Sequence, residues 1–246
     1  MTVTAVLFDF GHTLMDFGRT EEALRGAYAV IRDRLANWVE DRAPPEVDEL
    51  VERIADEVDR MVERSYHERR LEELDQIAMF AEAFEALGYR LPDELLMEVA
   101  TLDHDAFAKS VRIEDSTLET LEQLRADGLK LGLVSNVSLL PHLMHRDLEA
   151  FGISPLLDGA VFSSEIGVRK PRPQIFHHVL EQLGAGPEQA VFVGDRLVDD
   201  IAGAHAVGMR AVLTQQYRKE EPDEDLQPEA VITDLTELPA ILSPWR

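Results

Sequence analysis

Asp9, Ser135, Lys170 and Asp195 are the residues whose types make a chemical set. A carboxylate can attack an electrophilic centre, a hydroxyl and an ammonium can hold an anion, and a second carboxylate can hold a divalent cation. Each has a plain alternative taken singly: an Asp after a strand often caps a helix, and a Ser-Asn pair such as Ser135-Asn136 often makes a turn. Taken together they are coherent for phosphoryl transfer.

Such residues act together only if the elements before them end at one place. Val3 to Phe8 is a short apolar run ending in Asp9 and Gly11, the pattern of a strand buried on both faces of a parallel sheet. After about Ser110 the pattern alternates helix and strand. Helices are expected over Ser116 to Ala126, Leu139 to Phe151, Pro173 to Leu183 and Asp200 to Val207. Strands are expected over Leu129 to Val134, Gly159 to Phe162, Ala190 to Val193 and Arg210 to Leu213, with a further one at Val231-Ile232. This alternation predicts an α/β fold with a doubly wound, Rossmann-like parallel sheet, whose ligands bind at the carboxyl ends of the strands. Between the first strand and the rest, Thr20 to Phe107 is rich in Ala, Glu, Arg and Leu and reads as several amphipathic helices, punctuated by Ala43-Pro44-Pro45 and Leu91-Pro92-Asp93. The expected division is a core of 1–16 and 109–246 and a helical insertion of 17–108. Lys219 to Glu229, acidic and proline-bearing, reads as a surface loop.

The segments that carry these residues resemble the four motifs of the haloacid dehalogenase superfamily of hydrolases. Phe8-Asp9-Phe10-Gly11-His12-Thr13-Leu14 resembles the first motif and Leu133-Val134-Ser135-Asn136 the second. Gly167-Val168-Arg169-Lys170-Pro171 through Phe176 resembles the third, and Val193-Gly194-Asp195 through Asp199-Asp200 to Gly208-Met209 the fourth. The resemblance spans nearly the whole chain and implies the type with a helical cap inserted after the first motif (subfamily I). It also implies roles. Asp9 would form an aspartyl-phosphate that water hydrolyses, with Thr13 in the catalytic set. Ser135, Asn136 and Lys170 would hold the phosphoryl group. Mg²⁺ would be held by Asp9, the Gly11 carbonyl, Asp195 and Asp200, with Asp199 the alternative to Asp200.

One position departs from the pattern. Phosphatases of this family carry a second Asp, the general acid and base, two residues after the nucleophile, and here Gly11 stands there. Positioned acid-base catalysis is worth roughly 10² to 10⁴ in rate. One reading is a substrate whose leaving group needs no acid. Another is a relay from His12 or the more remote His67, although His12 reads as a loop side chain turned away from substrate. A third is a weakened enzyme kept as a binding or regulatory protein. The phosphonate branch of the family needs a cap lysine, and no lysine precedes Lys109. The 2-haloacid dehalogenase branch works without metal and generally lacks the carboxylate equivalent to Asp195, so Asp195 argues for Mg²⁺. Arg196 reads as a substrate contact or a partner of Asp199.

Composition narrows the partners. The formal net charge of -24 would repel nucleic acid and anionic membrane. No apolar run approaches the roughly 18 to 20 residues of a membrane helix. With no cysteine, any metal must be held by oxygen or imidazole. The expectation is a cytoplasmic enzyme, monomer or homodimer, acting on a small phosphorylated metabolite.

Overall fold

The computed structural model describes residues 2–18, 20–38, 43–222 and 224–246. Six parallel strands form one sheet: β1 (Ala5–Phe8), β2 (Lys130–Ser135), β3 (Gly159–Phe162), β4 (Ala190–Gly194), β5 (Arg210–Thr214) and β6 (Ala230–Ile232), in the order β3-β2-β1-β4-β5-β6. The expected strands are all present, each shifted by no more than two residues at an end. The four residues of β1 are buried because helices cover both faces of the sheet. Val6 and Phe8 pack with Leu121, Leu124 and Leu148 on one side, and Ala5 and Leu7 with Ile175, Phe176 and Val179 on the other. The period-two alternation of the strand thus serves two apolar layers at once.

The chain winds from β1 to β2 and β3 on one side, then returns to β4, β5 and β6 on the other, so the winding reverses between β1 and β4. At that point the loops after neighbouring strands diverge and leave a crevice. Asp9 follows β1 and Asp195 follows β4, and the Asp9 amide donates to the Val193 carbonyl at 2.9 Å across the gap between them.

Among the described residues, the segment between Thr20 and Phe107 contains no strand. Its helices are Glu21–Trp38, then Val47–Leu50 running through a π-helical turn at Val51–Ala55 into Asp56–His67, then Gln76–Ala86 and Asp93–Ala108. The punctuation behaves as its chemistry requires. Pro92 sits in extended backbone at the start of the last helix, and Asp75 caps Gln76–Ala86 by accepting from the Ala78 amide at 3.0 Å. These helices bury an apolar cluster of their own, including Tyr28, Ile31, Leu50, Phe80, Phe84 and Val99.

This segment meets the sheet at defined places. Asp16 and Arg112 exchange backbone hydrogen bonds of 2.9 and 2.8 Å where the chain leaves and re-enters. Farther along, the Arg169 amide donates to the Leu71 carbonyl and the Glu73 amide to the Gly167 carbonyl. The buried Arg169 guanidinium is held there by Glu73 at 2.9 Å from Nε and 2.5 Å from Nη2, and by Ser65 Oγ at 2.7 Å. His104 Nε2 lies 2.8 Å from Asp147, joining Asp93–Ala108 to Pro141–Ala150.

Candidate active site

Strand ends deliver the chemistry. Ser135 closes β2, Asp9 and Asp195 follow β1 and β4, and Lys170 lies in the loop that follows β3 and the short helix Ser163–Ile166. All four are buried. Lys170 Nζ lies 2.9 Å from Asp9 Oδ1 and 2.6 Å from Asp200 Oδ1. Asn136 fixes the lysine from its backbone: its amide donates to the Lys170 carbonyl at 3.1 Å and accepts from the Lys170 amide at 2.7 Å. Read from the sequence as a substrate contact, Asn136 therefore has a positioning task as well, while still lining the cavity.

Asp200 arrives by a detail that helical periodicity does not signal. A helix was expected to start at this residue, but the backbone enters earlier as a π-helical turn, Leu197–Ala202, with the Ile201 amide reaching back to the Arg196 carbonyl at 3.2 Å. The wider turn aims Asp200 inward, where Oδ2 accepts from the Arg196 amide at 2.9 Å. Gly194 is required for this packing, because a Cβ there would run into the Asp200 carboxylate. Of the tandem acids, Asp200 joins the buried cluster, whereas Asp199 lines the cavity with its carboxylate 4.0 Å from Arg196 Nε.

Asp9, Asp195 and Asp200 each place a carboxylate oxygen within 4.8 Å of the others. Burial, then the charges of Asp9 and Asp200, push Asp195 up to about 8. Burial likewise raises Asp200, to about 6, against the pull of Lys170. Burial alone would lower Lys170, but Asp200 and Asp9 outweigh it and hold the ammonium well above the ordinary lysine range. Three carboxylates thus face two cations, Lys170 and Arg218, whose Nη1 donates to Asp195 Oδ2 at 2.8 Å. Asp9 Oδ1 is buried and makes no well-aligned hydrogen bond despite its ion pair with Lys170. Buried, crowded carboxylates of this kind are the donor set a hard divalent cation satisfies, and the residues fit such an ion. Thr13 Oγ1 donates to Asp195 Oδ1 at 3.4 Å, steadying that carboxylate from the other side.

A cavity of about 530 Å³ opens over the cluster, lined from the sheet by Asp9, Ser135, Lys170 and Arg218 and from the helical segment by residues such as Leu24, Val62, Tyr66 and Phe107. The space beside Gly11 is filled by an aromatic ring: a Cβ on Gly11 would lie 3.1 Å from Phe17 Cε1. Phe17 stacks on His12 at 4.4 Å between ring centroids and meets Phe107 edge-on at 5.2 Å. His12 adopts the left-handed conformation (φ 56°), which His tolerates better than most residues, and its Nδ1 is 3.2 Å from Asp16. It lines the cavity, contrary to the expectation that it turns away, because this backbone twist and the Phe17 stack aim it inward. His67 is exposed and is not among the lining residues.

Arg218, Phe17 and Tyr66 are the site residues that the sequence did not single out. Arg218 follows β5, the strand beside β4, so its loop opens on the same edge as Asp195. Only that adjacency could have drawn attention to it.

A parallel sheet with its winding reversal at β1/β4, and a buried Asp–Lys–Asp cluster beside a cavity at that point, define the active centre of a doubly wound, Rossmann-like α/β enzyme. The chain belongs to the haloacid dehalogenase-like hydrolase family, whose model matches residues 3–208. It is 32% identical over 227 residues to a glyceraldehyde 3-phosphate phosphatase of Methanopyrus kandleri, covering 91% of this chain and 89% of the relative. The structure resembles a 2-haloacid dehalogenase of Pseudomonas syringae pv. tomato (TM-score 0.70, 28% identity, 99% of this chain and all of the other). It also resembles a phosphatase of the same family from Thermococcus onnurineus (TM-score 0.62, 27% identity, 98% of both chains). The protein is thus a hydrolase of this family.

Proposed function

We propose that the protein is a Mg²⁺-dependent phosphohydrolase of small phosphorylated metabolites, working through an aspartyl-phosphate on Asp9. The observation that carries this reading is the convergence of Asp9, Lys170, Asp195 and Asp200 in one buried cluster, of which Asp9 and Lys170 line the cavity. Phosphatase relatives, including the Methanopyrus enzyme and a phosphoserine phosphatase of Thermus thermophilus, support it.

In this mechanism the Asp9 carboxylate attacks the phosphorus, and the hydroxyl of Ser135 and the ammonium of Lys170 hold the phosphoryl oxygens. Lys170 sits 2.9 Å from the attacking carboxylate, so it orients Asp9 while neutralising the incoming dianion. Water then attacks the phosphorus of the aspartyl-phosphate and regenerates Asp9. Asp9, Asp195 and the Gly11 carbonyl would hold Mg²⁺, which would supply positive charge against the phosphoryl oxygens. Both Asp200 oxygens are already engaged, by Lys170 and the Arg196 amide, which supports a positioning role for it. Residues 17–108 act as a lid domain over a core of 1–16 and 109–246, excluding water and choosing the substrate; the backbone pairing of Asp16 with Arg112, near both ends of the insertion, supports this division.

Phosphate release from a broad panel of phosphate esters, dependent on Mg²⁺ and abolished by Asp9→Asn, tests this reading. A panel that yields no phosphate at all would overturn it. The likeness to the Pseudomonas enzyme supports a second reading, 2-haloacid dehalogenation. Chloride release in EDTA separates the two, since displacement at carbon needs only the Asp9 carboxylate as nucleophile and no metal.

A further inference from the structure

The cavity over Asp9 combines a floor of charged and hydroxyl groups with aromatic rings on the side of Gly11. The floor holds Asp9, Lys170 and Ser135, which suit a phosphoryl group, with Asp195 and Asp200 buried in the same carboxylate cluster. On the side of Gly11, where an acid on the first loop would stand, the ring of Phe17 takes the volume. The helical segment adds the apolar Phe107, Leu24 and Ala106 and the ring of Tyr66 to the lining, together with the carboxylates of Asp59, Glu63 and Asp103. Phe17 is held at this place by the stacked ring of His12 and by Phe107, packed against it at a T-shaped angle. The cavity, at about 530 Å³, is within the usual size of sites for drug-like, ring-bearing ligands and is generous for a three-carbon ester.

Resting on the phosphatase reading above, we infer that the substrate is an aryl phosphate: a phosphate ester of a phenol-type hydroxyl, whose ring packs against Phe17 and Phe107. Two independent features lead there. Aromatic walls recognise a ring by offset and edge-on packing. His12, the other candidate donor on this loop, is stacked on Phe17 with its Nδ1 held 3.2 Å from Asp16, so a leaving group facing Phe17 departs best as an anion that is stable unprotonated, which a phenolate is and an alkoxide is not.

The step balances without a proton donor. An Asp9 carboxylate oxygen forms a bond to phosphorus, the bond from phosphorus to the aryl oxygen breaks, and the electron pair leaves on the phenolate. Water then adds to the phosphorus, the bond from phosphorus to Asp9 breaks, and its electron pair returns to the carboxylate. The products are phosphate and phenolate, and the proton in excess on the phosphate passes through solvent to the phenolate. The second leaving group is a carboxylate, which also departs without an acid.

The test is a series of substituted phenyl phosphates measured beside ethyl phosphate, glycerol 3-phosphate and glyceraldehyde 3-phosphate, with Mg²⁺ present. The quantity read is kcat/KM, which reports the first chemical step. With no acid to assist departure, kcat/KM climbs steeply as the phenol becomes more acidic. Phenyl phosphate exceeds each alkyl ester by about 100-fold or more, the order that a general acid would otherwise supply. Phe17→Ala narrows the phenyl-to-ethyl ratio by about tenfold or more, through loss of ring packing. Alkyl esters turned over within tenfold of phenyl phosphate, a flat dependence on phenol acidity, or a ratio unmoved by Phe17→Ala each overturn the inference and leave the phosphatase reading standing. Absence of phosphate release from every ester defeats the phosphatase reading itself.

Discussion

Arg218 Nη1 donates to Asp195 Oδ2 at 2.8 Å, so a guanidinium from the loop after β5 occupies one oxygen of a carboxylate in the proposed metal cluster. The two cations compete for the same charge: an ion entering the cluster must displace or tolerate Arg218. Replacing Arg218 with Met is therefore expected to tighten divalent-ion binding by on the order of tenfold, a modest part of what one unit charge is worth at this range before screening. Titration of the protein with Mn²⁺, followed by electron paramagnetic resonance, reads this directly. Weaker binding in the variant would show that Arg218 assists the ion instead.

Acidity and stability are linked through the same cluster. Asp195 is pushed up to about 8 and Asp200 to about 6, chiefly by burial, so the folded state without metal binds protons there that the unfolded state has already lost. For an acid whose folded value is raised, stability is present at the low-pH end and lost as pH rises through the folded value. Lys170, held above the ordinary lysine range, stays protonated across the window. In EDTA the thermal midpoint should fall by a few degrees between about pH 5 and about pH 8, and Asp195→Asn should flatten that fall. Mg²⁺ should raise the midpoint most at the upper end. A midpoint that climbs across this range in EDTA, with Asp195→Asn making no difference, would contradict the argument.

Lys170 compensates two buried carboxylates at once, Asp9 and Asp200. Lys170→Met should reduce phosphate release by on the order of 10² to 10³, the usual cost of losing a preorganised charge at a reacting centre. It should also destabilise the metal-free protein more than the protein in excess Mg²⁺, because the ion takes over part of the compensation. Urea denaturation with and without Mg²⁺ gives the comparison, and equal losses in both would mean that Lys170 does not share the cluster's charge.

Arg169 and Glu73 form a buried ion pair between the helical segment and the loop that carries Lys170. Removing one partner leaves a buried charge uncompensated, and Glu73→Leu is expected to cost about 3 to 5 kcal/mol of stability. The double variant Arg169→Met with Glu73→Leu should recover much of that loss, since two apolar groups of similar size need no partner. Chemical denaturation of the singles and the double closes the cycle; simple additivity would place no interaction between the two residues.

The elements were legible in the sequence, and so was the identity of the residues at their ends. A strand buried on both faces has to be an unbroken apolar run, and the first polar residue after it falls at the carboxyl edge of the sheet, as Asp9 and Asp195 do. The helical segment announced itself by amphipathic periodicity and by prolines at its breaks, which act through local backbone sterics. These are short-range effects, and the order of residues carries them by itself.

Tertiary structure alone decided what faces what. Arg169 finds Glu73 across 96 residues, and Arg218 reaches Asp195 because the winding order sets β5 beside β4. The π-helical turn that brings Asp200 under Lys170 depends on the absent side chain of Gly194, a steric fact between two residues that no periodicity expresses. At Gly11 the sequence shows a missing acid, but only packing shows what fills its place. Phe17, wedged between His12 and Phe107, takes that volume, since side-chain burial is settled by the sum of contacts around a site and not by spacing along the chain.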